Sequence, residues 1–462
     1  MRPTRAPPRS ALEGVSIKNL KSLRDTGLIP LKPITLLLGP NSSGKTAFLQ
    51  AILLLKQTSE SRNLMTPLVI RGKYVDLGSF RDLVFSHDLD KNLEIGLKLR
   101  VHFRPSHLYR DLAKDILKPR NYYITPLLKF TIGFDRDRER LVNKSIEFSI
   151  ENQLMLKLSG NTVSGKLGER EFEFTLSEKM ARVLRDRNIF HILSYPSFYY
   201  PPYRSFINIL EQEKPIMALL RLLRGVLFRI QRLLVKKTYY IGPLREYPPR
   251  YYIASGEYPR DVGLRGEHTV EVIYADFKRR VALYERLKSW VNKMGIARDI
   301  RLKPVAEGIY VLTIADPKQG IDVNITDIGF GASQLLPIIV EGIYATRGSL
   351  LLVEQPEIHL HPRLQAMLAD FFIEMAREGK QIIIETHSEH LLLRLQRRIA
   401  ENVISNRDVA VYYFELTSDG TKIYPITINE YGMLEALPEG FFEEDLTDAY
   451  ELLMAAIRRK RS

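Results

Sequence analysis

The chain has 462 residues (53.4 kDa), 45% of them hydrophobic and 26% charged, enough to bury the cores of two or three domains and unlike a disordered or an ordinary membrane protein. It contains no cysteine, which excludes disulfides, thiol nucleophiles and Cys-ligated zinc or iron–sulfur centres. Lys and Arg outnumber Asp and Glu by 68 to 54, and the resulting +14 suits either contact with a polyanion such as nucleic acid or a solvated basic surface.

Residues 1–13 are basic and proline-containing with no apolar run behind them, so a flexible tail is expected rather than a signal peptide. Val15–Leu20 and Ile34–Leu38 read as strands around a Lys/Arg-containing turn, and a helical pattern runs on to Leu55. Strand-like runs follow at Leu68–Val75 and Leu93–Phe103. Residues 14–104 thus read as the first half of a domain. Residues 105–237 differ in texture and read as an insertion. Basic, aromatic sequence comes first, then the alternating runs Phe130–Phe134, Ile146–Ile150, Leu154–Leu158 and Phe172–Leu176 of an antiparallel meander. Helical patterns fill much of Lys179–Val235, broken by the aromatic–proline run Tyr195–Tyr203. Within them, Arg221, Arg224, Arg229 and Arg232 share one helical face, while Leu220, Leu223, Leu227, Ile230 and Leu234 line the other. These arginines break the one stretch long enough to suggest a membrane span, and they suit a wet protein surface, a nucleic acid or an acidic partner.

The second half, residues 238–430, holds a helical stretch at Thr269–Met294, strands at Ile309–Ala315 and Val323–Ile325, and a helix from about Ala332. Leu350–Val353 and Gln381–Ile384 are short, wholly apolar runs separated by the helical Leu364–Glu378, the pattern of a βαβ unit with central parallel strands. Val409–Phe414 and Ile423–Ile428 read as strands, and a tail of 431–462 ends in a helix at Glu443–Ile457 and the basic run Arg458–Arg461. The fold class expected is α/β, a mixed sheet with flanking helices and an antiparallel β subdomain, interrupted by the insertion.

Gly39-Pro40-Asn41-Ser42-Ser43-Gly44-Lys45-Thr46 fits the phosphate-binding loop G-x-x-x-x-G-K-[ST], with a strand before it and Ala47 opening a helix after it. Glycines let successive backbone N–H groups turn inward onto phosphates, Lys45 reaches the β- and γ-phosphates, and Thr46 is placed to ligate Mg²⁺. ATP and Mg²⁺ are therefore the expected cofactors. Leu350–Val353 ends in Glu354, the form of a Walker B strand, and Glu354, placed beside the P-loop strand, would hold the metal directly or through water. His359 and His361 follow, and with no third ligand at useful spacing they read as loop residues facing the nucleotide or another subunit. His387 follows an apolar strand, at the carboxyl edge where ligands bind in open α/β sheets.

In combination these segments resemble ABC-type P-loop ATPases, in the branch that holds the structural-maintenance-of-chromosomes, RecF and overcoming-lysogenization-defect (OLD) proteins. Asn19-Leu20-Lys21-Ser22 is similar to the stretch that opens those proteins, and Asp327-Ile328-Gly329-Phe330-Gly331-Ala332-Ser333-Gln334 stands where their signature loop does. The nearest resemblance is to OLD-like AAA ATPases with a C-terminal DUF3696 domain, through Asp76–Phe80, Gly242-Pro243-Leu244-Arg245, Glu354–Pro362, Glu385-Thr386-His387-Ser388 and Pro438–Phe442. The resemblance implies a cytoplasmic ATP hydrolase working as a nucleotide-gated homodimer. One subunit would bind ATP through the P-loop, Glu354 and His387, and the other would close on it with Ser333, or Gly331 in its place, and Gln334. DNA or a separate effector protein in repair or defence is the implied partner. The chain departs from the ABC pattern after the Walker B acid, where Gln355 replaces the usual glutamate. Gln355 can orient water but cannot take a proton, so Glu357 is the expected base and slow turnover is expected. A non-hydrolytic ATP-gated binding module is the alternative. An ABC-transporter ATPase subunit fits less well, because the signature is not Leu-Ser-Gly-Gly-Gln. Asp76–Asp88 reads as a γ-phosphate sensor or a tight turn, and Arg245 and Arg250 as nucleic-acid contacts or braces between lobes. Too little chain follows His387 for the nuclease domain of OLD proteins.

Overall fold

In the computed structural model, residues 10–102, 123–150, 154–191, 214–253, 258–279, 283–315 and 321–435 are described. The N-terminal tail before Ser10, the Tyr195–Tyr203 run, Pro438–Phe442 and the expected helix at Glu443–Ile457 lie outside the described residues.

Two sheets share the P-loop helix between them. The first is antiparallel: β1 (Ser10–Leu20), β2 (Leu23–Pro30), β4 (Leu93–His102), β5 (Tyr123–Ile124), β6 (Pro126–Asp135), β7 (Arg140–Ile150), β8 (Leu154–Ser159), β9 (Thr162–Leu167) and β10 (Arg170–Thr175). Its order is β10-β9-β8-β7-β6-β4-β1-β2, with β5 on the end of β4. Strands of the expected insertion therefore continue the first half's sheet through the β4–β6 ladder. Along β6 and β8 buried and half-buried or exposed residues alternate, as expected of a sheet with one packed face.

The second sheet runs β11 (Thr238–Ile241), β16 (Leu350–Glu354), β17 (Gln381–Glu385), β3 (Ile34–Leu38), β18 (Val409–Thr417), β19 (Gly420–Ile428) and β20 (Leu434–Glu435). Its first five strands are parallel, and β3, β16 and β17 are buried at every position, which is why each is predominantly apolar. A smaller sheet joins β12 (Tyr252–Ile253), β13 (Asp299–Ala306), β14 (Ile309–Ala315) and β15 (Asp322–Asn324).

The period-two alternation of β3 divides the core. Leu37 belongs to the cluster facing the antiparallel sheet, which includes helices α1 (Lys45–Glu60), α2 (Glu178–Asp186) and α3 (Lys214–Lys237). Ile34, Leu36 and Leu38 face the other cluster, built with α4 (Thr269–Arg279), α5 (Leu283–Lys293), α6 (Phe330–Tyr344), α7 (Pro362–Arg377) and α8 (Glu389–Ala400). α1 is sandwiched: its side chains from Ala47 to Ser59 are buried with the sole exception of half-buried Gln50.

Three local expectations need correction. The turn after Leu20 is only Lys21-Ser22; Leu23–Pro30 is a strand, and β1 and β3 lie in different sheets. Lys21 and Asn19 take left-handed φ of 51° and 60°, which lets the chain reverse within that short turn. Leu68–Val75 is not a strand, since Gln57 from α1 takes its backbone groups, bonding Val69 O and Val75 N. Finally, Glu354 does not lie on a strand beside the P-loop strand, because β17 runs between β16 and β3.

Candidate nucleotide site

The apolar β3 ends at Leu38, and the chain then turns sharply into α1. Gly39 has φ 135°, and a Cβ there would fall 2.2 Å from the Phe414 carbonyl oxygen of β18. Gly44, the α1 N-cap, has φ 100°, and a Cβ would meet Thr421 Oγ1 at 2.6 Å. Only glycine fits either place. Thr421 Oγ1 also lies 2.8 Å from both Ser43 O and Ser22 Oγ, so β19 and the β1–β2 turn brace the loop from behind. Pro40, Asn41 and Ser42 are exposed at its tip.

Lys45 is 3% exposed, and its Nζ donates to the carbonyls of Gly39 (2.8 Å) and Pro40 (2.6 Å). Burial lowers its pKa, against the charges of Glu385 and Glu357. Thr46 Oγ1 donates to Glu385 Oε1 at 2.8 Å. Glu385 and Glu354 are register partners at the carboxyl ends of β17 and β16. Burial, then repulsion from Glu385, pushes Glu354 up to about 7, and burial also raises Glu385. Tyr240 OH donates to Glu354 at 3.0 Å, while Glu385 Oε2 is buried with no hydrogen-bond partner.

That orphaned oxygen, the Thr46 hydroxyl and the two repelling carboxylates are hard oxygen donors of the kind a divalent cation accepts. The donor set fits Mg²⁺ when nucleotide phosphates supply further oxygens. Among the described residues no group of three or more His, Cys, Asp or Glu could hold a metal unaided.

Beyond Glu354 the backbone turns through Gln355, a non-glycine residue at φ 43°. Its N–H donates to Glu385 O at 2.7 Å, and Arg245 Nη2 donates to both Glu354 O (2.8 Å) and Gln355 O (3.1 Å). Arg245 is 5% exposed, its Nε and Nη1 have no partner, and burial lowers its pKa to about 10. Arg245 thus pins the turn after Walker B, whereas Arg250 pairs with Asp327 at 2.7 Å on the surface. Glu357 is half-buried, and its carboxylate accepts from Thr386 Oγ1 and His387 N, each at 2.7 Å. His387 reaches the surface, but the protein crowding one side of its ring removes part of its hydration, and this, followed by the Lys45 charge, lowers its pKa. His361 caps α7 through Nδ1, while His359 is exposed at φ 62°.

The signature-like loop is positioned from the same residues. Gln334, 2% exposed, donates to Arg245 O at 3.4 Å, and Ser333 is 5% exposed. Gly331 is half-buried, and a Cβ on it would meet His359 O at 2.7 Å. Asp76–Asp88 holds a short helix, Phe80–Leu83, opened by a Ser79–Asp82 capping box, and a 3-10 turn at Phe85–His87; its Gly78, Ser79 and Phe80 line an 800 Å³ cavity with Arg71 and Arg140.

Lys45, Thr46, Glu354, Glu357 and His387 therefore meet at one edge of the parallel sheet. Glu385 is the residue the sequence reading passed over. Its signal was present, since Gln381–Glu385 has the same form as Leu350–Glu354, an apolar run ending in a carboxylate.

The AAA ATPase domain family model matches residues 11–191 and 271–392, about two thirds of the chain. The chain belongs to that family. A second family, a protein of unknown function (DUF3696), matches residues 404–452 of this ATPase. Compared with the curated proteins, the chain matches none. Among solved structures it is similar to the Smc head domain bound to the C-terminal domain of ScpA from Pyrococcus furiosus, at 11% identity and a TM-score of 0.44, covering 96% of this chain and 99% of that one. The SMC head domain from Thermotoga maritima is similar at 10% identity and a TM-score of 0.40, covering 90% and 98%. Among the described residues no helix is long and apolar enough to cross a membrane.

Proposed function

We propose that this family member is a slow, Mg²⁺-dependent ATP hydrolase of the cytoplasm, closing as a homodimer on nucleotide and acting on DNA or through a separate effector protein. The observation that carries the reading is the meeting of Lys45, Thr46, Glu385, Glu354 and Glu357 at the carboxyl edge of β3, β17 and β16. When bound, Mg²⁺ would neutralise phosphate charge and polarise the terminal phosphoryl group. Thr46, Glu385 and Glu354 would hold it. Lys45 would turn from the Gly39 and Pro40 carbonyls onto the phosphates, a short swing for a flexible side chain. Glu357 would accept the proton of an attacking water, and His387 would orient the γ-phosphate. Gly331, half-buried in the first turn of α6, would reach the nucleotide of a second copy in place of Ser333; Ser333 and Gln334, buried in the same turn, would support it.

One observation favours a second reading, an ATP-gated binding module without turnover. Both Glu357 oxygens already accept hydrogen bonds, from Thr386 Oγ1 and the His387 N–H, so an attacking water would have to compete with them for the carboxylate. Phosphate release from ATP with and without Mg²⁺ and DNA, beside Lys45→Ala, separates the two. Release that depends on Mg²⁺ and vanishes in the variant supports the hydrolase. Tight ATP binding with no release supports the module.

A further inference from the structure

Helix α3 carries Lys214, Arg221, Arg224, Arg229, Arg232, Lys236 and Lys237 and no acidic residue. Its inner face, including Leu223, Leu227 and Leu234, is buried in the core that surrounds α1, and Lys56 of α1 donates to Leu234 O at 2.9 Å. The outer face is basic, but it is not only basic. Phe228 is 64% exposed, with Arg224 and Arg232 one helical turn to either side, roughly 6 Å along the axis. A helix that merely wets its outer face has no need of an aromatic ring there.

The neighbouring strand end repeats this composition. Arg229 Nη1 donates to His102 O at 3.1 Å, joining α3 to the end of β4. There the Arg100 guanidinium stacks 4.7 Å from the Tyr123 ring centroid, and His102 packs edge-on to Tyr123 at 5.2 Å. Among the described residues the one carboxylate paired in this patch is Glu13, 4.0 Å from Arg100, and Arg229, Arg232 and Lys236 form no ion pair. Cations interleaved with the exposed Phe228 ring and the half-buried Tyr123 ring match the backbone charge and the base faces of an unpaired nucleic-acid strand. A lipid surface is the poorer fit, because Phe228 is the single large apolar side chain exposed among the described side chains of α3.

We propose that the outer face of α3 and the adjoining end of β4 form a binding surface for single-stranded nucleic acid, with phosphates on Arg229 and Arg232 and a base stacked on Phe228. It deepens the reading that the ATPase acts on DNA, and names both the form of the substrate and the place. α3 meets α1 at Lys56, about 16 Å along the helix axis from Lys45.

The test is fluorescence-anisotropy binding of an oligothymidylate to the full chain without nucleotide, so that it stands apart from ATP turnover. Phe228→Ala should weaken binding about tenfold. Arg232→Gln should lower the salt dependence of binding by about one ion. Both side chains are exposed, so thermal unfolding should stay at the wild-type temperature. Duplex DNA should bind more weakly than the single strand, because its bases are already stacked. Wild-type affinity in both variants overturns the proposal. So does equal competition by polyglutamate, or binding to phosphatidylserine vesicles but not to the oligonucleotide. An oligonucleotide that binds through Phe228 to a protein with no ATP turnover leaves the surface standing and removes the hydrolase.

Discussion

Thr46 and Glu385 meet across 2.8 Å, hydroxyl to carboxylate, although 339 positions separate them in the chain. The contact links the first turn of the P-loop helix to the strand beside it, and it leaves the second Glu385 oxygen buried and unpaired. Glu385→Gln keeps the size of the side chain and removes its charge. The Mg²⁺ concentration needed for half-maximal turnover should rise about 10- to 100-fold, while ATP binding in EDTA stays unchanged. A magnesium titration of phosphate release checks this, and an unaltered titration removes Glu385 from the metal site.

Glu357 is the carboxylate nearest to a base, given that Gln355 follows the Walker B acid. Glu357→Gln should lower steady-state turnover at least about tenfold and leave nucleotide affinity within a small factor of wild type. The variant still accepts one of the bonds from Thr386 and His387, so the loop keeps its shape. Unchanged phosphate release would mean that another group, or water alone, takes the proton.

Arg245 spends one nitrogen on the carbonyls of Glu354 and Gln355 and leaves two without partners. A buried cation with two unpaired nitrogens, offset by the nearby charges of Glu357 and Glu354, adds little stability. Its value lies in holding Gln355 at φ 43°. Arg245→Met should therefore change thermal stability by only about 1 kcal/mol and still slow turnover by about tenfold or more. Calorimetry and phosphate release on the same sample separate the two effects. A large loss of stability with normal turnover per folded molecule would make Arg245 a purely structural brace.

Glu341 on α6 is fully buried, accepts from Val262 N at 2.8 Å, and is pushed up to about 8 by burial, with Asp261 adding to the rise and Lys56 and Lys380 opposing it. Its folded-state value lies above its ordinary 4.5, so the protonated form favours the fold. That contribution is complete below about pH 4.5 and is lost as pH rises through about 8. Glu341→Gln imitates the protonated acid. Melting temperatures measured across this window should decline more steeply for wild type than for the variant, and parallel curves would show that Glu341 stays ionised.

Part of the site's logic was legible in local sequence and the rest only in the fold. The P-loop, the apolar strands ending in Glu354 and Glu385, and the βαβ unit between them follow from local rules. Glycine alone tolerates the φ of Gly39 and Gly44, and strands buried on both faces are apolar along their middles, leaving polar residues to their ends. The turn after Leu20 and the loop at Leu68–Val75 were misread for the opposite reason. Their backbone groups are satisfied by residues far away, by Leu83 O for Lys21 N and by Gln57 for Val69 and Val75, which no local pattern announces.

The nucleotide-phosphate loop and the two acidic strand ends are readable along the chain, because each is encoded in contiguous residue types. Which carboxylate stands next to Thr46 depends on how the strands are ordered in the sheet. Strand order is a non-local choice, and inserting β17 between β3 and β16 makes Glu385, not Glu354, the neighbour of the P-loop. The +14 charge was likewise countable from composition, but its placement was not. Burying the leucine face of α3 in the core around α1 is what turns its arginines and Phe228 outward, for apolar area leaves water and the charged guanidiniums cannot follow it.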